Sequence, residues 1–250
     1  MSSKKPILII NGDPKSIFLE IFLKSINKIN FKTPIILIAS YKLLSIEKKN
    51  QKIKKKIKII EYPNFDIQSL NNTNINLINI DNNDNDTFDY INKSFEIAFK
   101  IIKKYKLKKF INGPINKKNF LNKKYLGITE YIAKKFKIKE SAMLIYNKKL
   151  SVCPVTTHLP IKYVAKSINK EKIEEKIILI NKFYKNTFKF KPKIAVLGLN
   201  PHCESIDKFN EDDKIIKPLI FKLKKKNFLV DGPISGDTIF LSQNRCNYDV

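Results

Sequence analysis

The sequence predicts an α/β chain organised on a mainly parallel sheet, and three observations lead there. Short apolar runs recur along the chain, at Pro6 to Ile10, Pro34 to Ala39, Ile57 to Ile60, Ile75 to Ile80, Lys109 to Asn112 and Lys193 to Gly198. Pro6 to Ile10 and Pro34 to Ala39 are apolar throughout, as in strands covered on both faces, while Ile57 to Ile60 and Ile75 to Ile80 carry Lys58, Asn76 and Asn79 and read as candidate strands. Segments with helical periodicity lie between them, and a strand–helix alternation of this kind gives a parallel sheet. Finally, several runs break abruptly into turn residues, as in Asn11-Gly12-Asp13-Pro14 and Gly113-Pro114.

Taken in order, Phe18 to Ile29 has helical spacing after the first strand. The Asn/Asp tract from Asn71 to Asp86 reads as loop and sheet edge around the strand Ile75 to Ile80. Thr87 to Tyr105 is a helix: Phe88, Ile91, Phe95, Ala98, Phe99 and Ile102 recur at three- and four-residue steps with lysines between them. Thr129 to Phe136 is helical. Ala142 to Tyr146 and Leu150 to Val155 read as two strands of a hairpin turned at Asn147-Lys148-Lys149. A long helix is predicted over Ile161 to Tyr184 and another over Asp212 to Lys226. Gly232, Pro233 and Gly236 mark a loop before Thr238 to Leu241. There are no internal repeats.

With 250 residues the chain is long enough for one large α/β domain or two modest ones. The net charge of +26 suggests an anionic partner, yet Arg245 is the single arginine, so 48 of the 49 basic residues are lysines. Specific nucleic-acid readers rely on arginine forks. Lysines spread over the whole chain among abundant Ile and Asn fit a solvated surface better, so no nucleic-acid partner is expected. No apolar run approaches the roughly 20 residues of a membrane helix, and Asn11-Gly12-Asp13 ends the first run too early for a signal peptide. A soluble, cytoplasmic protein without a membrane partner is therefore expected. Cys153, Cys203 and Cys246 stand far apart, with no Cys-x-x-Cys pair, and read as isolated thiols.

Parallel sheets place their chemistry in the loops beyond the carboxyl ends of strands. Only two histidines occur, and each follows a predicted strand: His158 in Thr156-Thr157-His158-Leu159-Pro160, and His202 in Gly198-Leu199-Asn200-Pro201-His202. Two imidazoles from separate loops can form half of a site for a borderline metal; two unrelated loop histidines are the alternative. Asn112 and Lys117 flank a turn suited to an anion. Gly127-Ile128-Thr129-Glu130 opens a helix at which Thr129 can cap or contact phosphate, and Asp237-Thr238 follows the Gly-Pro loop. Neither Gly-x-Gly-x-x-Gly nor a Walker loop is present, so a nicotinamide cofactor cannot be read from a Rossmann fingerprint.

In this order, Gly12-Asp13-Pro14, Gly113-Pro114-Ile115-Asn116-Lys117, Thr129-Glu130, Thr156 to Pro160, Gly198 to His202, and Gly232-Pro233 with Asp237-Thr238 form a series. It resembles the 4-hydroxythreonine-4-phosphate dehydrogenase family of vitamin B6 biosynthesis, over nearly the whole chain from Pro6 to Val250. The resemblance implies the two-lobed fold of the isocitrate and isopropylmalate dehydrogenases, with residues 1–250 as one dehydrogenase chain of two intertwined lobes. It implies a homodimer with its site at the subunit interface, and a divalent metal (Zn, Mg or Co) held by three histidines. His158 and His202 match the first two of these. Thr129 matches a substrate contact and Asp237 an acidic residue near the substrate. Asn112, Lys117 and Ile128 are assigned beside them in the cleft. The implied reaction oxidises the C3 hydroxyl of 4-phosphooxy-L-threonine with NAD or NADP, and the β-keto acid loses carbon dioxide to give 3-amino-2-oxopropyl phosphate.

The chain departs from the family pattern at four places. Ile128 stands where the family has a histidine, which opens the alternative of another phosphorylated hydroxy acid such as phospho-threonate or phospho-erythronate. The first loop lacks the family's later Gly and Pro. Cys203-Glu204-Ser205 replaces a Gly-rich stretch, and the family's third metal histidine lies beyond Tyr248-Asp249-Val250, so a C-terminal segment is expected to be missing. Two other classes remain as alternatives, a phosphate acyltransferase of related fold, which needs no histidine pair, and a nucleic-acid-binding protein suggested by charge alone.

Overall fold

A computed structural model describes residues 5–82, 86–116, 127–204 and 209–250. The chain divides into two compact units, Met1–Tyr125 and Leu126–Val250.

The first unit is built on a five-stranded parallel sheet. Its strands are β1 (Ile7–Ile10), β2 (Ile35–Ala39), β3 (Ile57–Ile59), β4 (Ile75–Asn79) and β5 (Phe110–Asn112), ordered β3-β4-β2-β1-β5. Register is set by apolar pairs such as Ile9 beside Leu37 and Leu37 beside Leu77. β2 is buried at all five positions, as expected of a strand covered on both faces. On one face Ile9, Leu37 and Leu77 pack with Leu19, Phe22, Leu23 and Ile26 of α1 (Phe18–Lys28) and Leu44 of α2 (Tyr41–Asn50). Leu8, Ile10, Ile36 and Ile38 point the other way and are fully buried, where α3 (Thr87–Tyr105) lies against β1 and β2. Each such Ile or Leu contributes on the order of 1.5–3 kcal/mol on burial.

Local chemistry sets the helix ends. Asp86 caps α3 by accepting from Asp89 N at 2.8 Å, and Ser40 caps α2 by accepting from Leu43 N. The Tyr90 hydroxyl of α3 is buried and accepts from Ser40 N at 3.0 Å and from Asn11 Nδ2 at 3.3 Å. It thereby ties the helix to the carboxyl ends of β1 and β2, and burial raises its pKa. The sequence reading placed the Asn/Asp tract around a sheet edge. β4 instead lies inside the sheet between β3 and β2, because Ile75, Leu77 and Ile78 are buried and β3 covers its outer side. α2 was not foreseen, since lysines mask its short apolar stripe.

The second unit carries the parallel pair β6 (Ile194–Leu197) and β7 (Val230–Ile234). Its helices are α4 (Ile128–Lys135), the single turns Ile161–Tyr163 and α5 (Val164–Ser167), α6 (Lys170–Phe188), a π-wound turn Asp212–Ile216 running into α7 (Lys217–Lys225), and the short α8 (Ser242–Arg245). The core joins Ile173, Ile177, Ile180 and Tyr184 of α6 to Ile194 and Val196 of β6 and to Leu219, Ile220 and Leu223 of α7. Val250 packs there too, and its carbonyl accepts from Ala195 N at 2.8 Å along β6. Among the described residues no helix is long and apolar enough to cross a membrane.

Three expectations are corrected here. The predicted hairpin of Ala142 to Tyr146 with Leu150 to Val155 is reduced to one antiparallel bridge between Ile145 and Val152. Both bridge residues are exposed, while Leu144, Cys153 and Val155 turn to the core of the unit and pack there rather than across a hairpin. The predicted helix from Ile161 to Tyr184 is broken before Asn169, whose side chain caps α6 by accepting from Lys172 N at 2.9 Å. Lastly, the Gly232-Pro233 segment is strand rather than loop. A Cβ on Gly232 would lie 2.5 Å from the Val196 carbonyl oxygen, and its φ is +154°, so glycine lets β7 approach β6.

Candidate active site

In the second unit the parallel pairing of β6 and β7 decides the site, because both strands deliver their following loops to the same end. Gly198 to Cys203 follows β6 and carries His202; the turn Ser235 to Asp237 follows β7. The two loops are knitted together at Pro201, whose carbonyl accepts from Ser235 Oγ and from Gly236 N, each at 2.9 Å. That contact places Asp237 Oδ2 at 3.2 Å from His202 Nδ1. Asp237 also accepts from the Ser235 hydroxyl, which, with the neighbouring His202, holds its carboxyl below the usual carboxylate range. A carboxylate beside Nδ1 favours the imidazole tautomer protonated there, which leaves Nε2 with the free lone pair. The His202 side chain is 71% exposed, so it remains accessible.

His158 is arranged differently. It was expected just beyond a strand, but the segment before it forms no strand apart from the bridge at Val152. Its position is instead set by the start of α4. A Cβ on Gly127 would lie 2.8 Å from Glu130 Oε2 and 3.6 Å from His158 Nε2. Thr157 Oγ1 donates to Glu130 Oε1 over a long 3.5 Å. The imidazole of His158, the Glu130 carboxylate and the N-terminal residues Ile128 and Thr129 of α4 are thus neighbours, with Ile128 and Thr129 half-buried. His158 (φ +57°) and Cys203 (φ +57°), which follows His202, both adopt the left-handed conformation. Such backbone is uncommon outside glycine and clusters at functional loops.

In the first unit Asn112 ends β5, and its Nδ2 donates to the Gly113 carbonyl at 3.0 Å. Lys117 lies outside the described residues. Among the described residues no group of three or more His, Cys, Asp or Glu is placed to hold a metal ion. A mostly apolar cavity of about 290 Å³ sits between β6, α6 and the Leu150 to Val155 segment, and none of the candidate residues lines it. Sequence reading missed two carboxylates. Glu130 and His158 both lie beside Gly127, and Asp212 is buried behind the His202 loop. Glu130 stood in a quoted motif without a role, and Asp212 read only as a helix start.

The sequence profile of the family described as "Pyridoxal phosphate biosynthetic protein PdxA" matches residues 23–250. The chain belongs to the PdxA family. Among PdxA relatives, the 4-hydroxythreonine-4-phosphate dehydrogenase of Sulfurihydrogenibium sp. (strain YO3AOP1) is 36% identical over 238 residues, covering 92% of this chain and 74% of that protein. The D-threonate 4-phosphate dehydrogenase of Pectobacterium atrosepticum is 32% identical over 141 residues, 55% of this chain and 43% of that one. A crystal structure of 4-hydroxythreonine-4-phosphate dehydrogenase from Klebsiella pneumoniae superposes with a TM-score of 0.79 at 25% identity, over 98% of this chain and 79% of that one. The mainly parallel α/β fold of this PdxA chain is therefore the one the resemblance implied.

Proposed function

We propose that this chain is a metal-dependent, NAD- or NADP-linked dehydrogenase of the vitamin B6 pathway. In this reading it converts 4-phosphooxy-L-threonine to 3-amino-2-oxopropyl phosphate. Hydride leaves C3 for the nicotinamide, the hydroxyl proton is lost, and the resulting β-keto acid releases carbon dioxide. The observation that carries this reading is the pairing of His202 Nδ1 with Asp237 at 3.2 Å beyond adjacent parallel strands, in a chain of the PdxA family.

The residues fit a divalent ion in part. Asp237 backs His202 as a carboxylate backs a metal-ligating imidazole, while the described residues supply no set of three ligands. His158 and His202 would hold the ion, and when bound it would act as a Lewis acid toward the substrate hydroxyl. Thr129, in the first turn of α4, would donate to substrate, and Ile128 beside it would make no such bond. Asn112 and Lys117 are assigned to the substrate, with Lys117 drawn to its phosphate. A homodimer completing the site at its interface, in the cytoplasm, belongs to the same proposal.

The test is turnover of 4-phosphooxy-L-threonine by purified protein supplied with Zn, Mg or Co and either nicotinamide. Reduced nicotinamide and carbon dioxide should form together, and chelation or His202→Ala should abolish both. Absence of both products from every metal and cofactor combination, in the 250-residue chain and in a version extended with the family's C-terminal segment, would overturn the reading. Ile128 and the relative acting on D-threonate 4-phosphate favour one second reading. Preferential turnover of D-threonate 4-phosphate or its erythronate counterpart would establish that alternative.

A further inference from the structure

We propose that Asp212 is a positioning residue whose buried carboxylate clamps the Gly198 to Cys203 turn and so sets His202 against Asp237. The inference rests on the reading of His202 as a functional imidazole and adds a residue to that machinery. Asp212 is 2% exposed. A buried carboxylate without partners costs several kcal/mol, so the donors that satisfy it indicate its task. Those donors are backbone amides of the His202 turn: Leu199 N at 2.7 Å from Oδ1 and Asn200 N at 3.4 Å from Oδ2. Its place in the first turn of the helical stretch, where amide dipoles point outward, further favours the negative charge.

The turn is closely constrained around that clamp. A Cβ on Gly198 would lie 3.1 Å from Asp212 Oδ2, 2.6 Å from Cys203 Sγ and 2.9 Å from the Asn200 carbonyl oxygen, so glycine alone admits the carboxylate and the thiol together. The Asn200 carbonyl accepts from Cys203 N at 3.0 Å, and Asn200 Oδ1 accepts from His202 N at 3.3 Å. Pro201, the residue between, presents the carbonyl that holds Ser235 and Gly236. Fixing Leu199 and Asn200 therefore fixes Pro201, which fixes the Asp237 turn, and His202 meets its partner at 3.2 Å. The adjacent Asp213 serves as contrast. It is exposed, accepts from Asn210 N-terminal to it and pairs with Lys217 at the surface.

With only two histidines in the chain, imidazole ¹⁵N–¹H spectra separate the roles, His158→Gln providing the assignment. In the wild type His202 should hold one dominant tautomer, protonated on Nδ1. Asp212→Asn should mix or broaden the His202 signals, leave those of His158 in place and keep native far-UV circular dichroism. It should also weaken Co²⁺ binding, by up to about 10–100-fold, the loss that removal of the imidazole's own partner brings. Asp213→Asn should change neither. If Asp212→Asn does not fold, Gly198→Ala replaces it: the added methyl displaces the turn while the carboxylate stays, and the His202 signals should move. His202 signals that superimpose on wild type in the folded variant, or that move equally in Asp213→Asn, would overturn the proposal. A wild type that binds no Co²⁺ would count against the metal reading alone, and the tautomer measurement would still judge Asp212.

Discussion

Replacing Gly113 by alanine should loosen the first unit by opening the junction of β1 and β5. Gly113 is buried, and a Cβ there would sit 1.9 Å from the Asn11 carbonyl oxygen and 2.8 Å from both the Asn11 carbonyl carbon and Phe18 Cγ. Ordinary contact requires more than 3 Å, so the ends of the two strands must separate by about 1 Å or more. Two hydrogen bonds cross that junction, Gly113 N to the Ile10 carbonyl and Asp13 N to the Pro114 carbonyl, each 2.8 Å. Losing them costs about 1 kcal/mol apiece, and forcing a methyl into a packed site costs about 1–3 kcal/mol more. The sum is about 3–5 kcal/mol, a large part of the 5–15 kcal/mol typical of a domain.

Hydrogen exchange read by peptide mass spectrometry is the suitable assay, because it reports on the two units separately. At about 1.4 kcal/mol per factor of ten, 3 kcal/mol raises the population of the open state by over a hundredfold. Peptides containing β1, β2 and β5 should lose protection by that order, while peptides from α6 and α7 keep theirs. Gly236→Ala is the control: nothing lies within 4 Å of its added Cβ, so protection should stay within about 0.5 kcal/mol of wild type. Unchanged exchange at β1 and β5 in Gly113→Ala would refute the reasoning, since no rearrangement of side chains alone relieves a clash with backbone.

Three further outcomes follow from local chemistry. Asp237→Asn should lower turnover by about 10–100-fold with little change in melting temperature, because the exposed carboxylate orients His202 without packing in the core; wild-type turnover would exclude that role. Glu174 of α6 accepts from Lys222 and Lys226 of α7 at 2.8 and 3.2 Å, and chiefly the Lys222 contact holds its carboxyl below the usual range. Its folded pKa is thus the lower one, so its stabilisation is present above the unfolded carboxylate range and lost as pH falls through the depressed value. Glu174→Gln should cost up to about 1 kcal/mol near neutral pH and nothing in strong acid, as measured by urea unfolding at several pH values. Burial raises the thiol pKa of Cys153 and of Cys203, the latter helped by Asp212, whereas Cys246 is exposed. Iodoacetamide should therefore label Cys246 first; faster labelling of Cys153 in peptide maps would contradict the burial argument.

The elements legible in the sequence were those whose burial pattern is one-dimensional. β1 and β2 are apolar because both faces are covered, and α3 showed its extent from Thr87 to Tyr105 because its apolar residues recur at three- and four-residue steps with lysines between them. What the sequence hid depends on contacts between distant segments. β7 passes through Gly232-Pro233, residues that locally signal a loop, and becomes a strand because β6 lies close enough to require glycine. The Leu150 to Val155 run looked like a strand by composition, yet among the described residues only Val152 finds a bridge partner, Ile145.

The same distinction separates the two histidines. His202 was expected beyond a strand and lies there, where the neighbouring parallel strand brings Asp237 to it. For His158 the expected strand is absent, and the ring instead lies beside Gly127 at the start of α4. A strand end is visible in sequence because hydrophobicity announces it. A histidine beside a helix start has no such local signal, because the two segments, far apart in sequence, meet only once the backbone has folded. Asp212 belongs to the second kind: beside Asp213 it reads as one of two equivalent acids, and only the amides of Leu199 and Asn200 make it different.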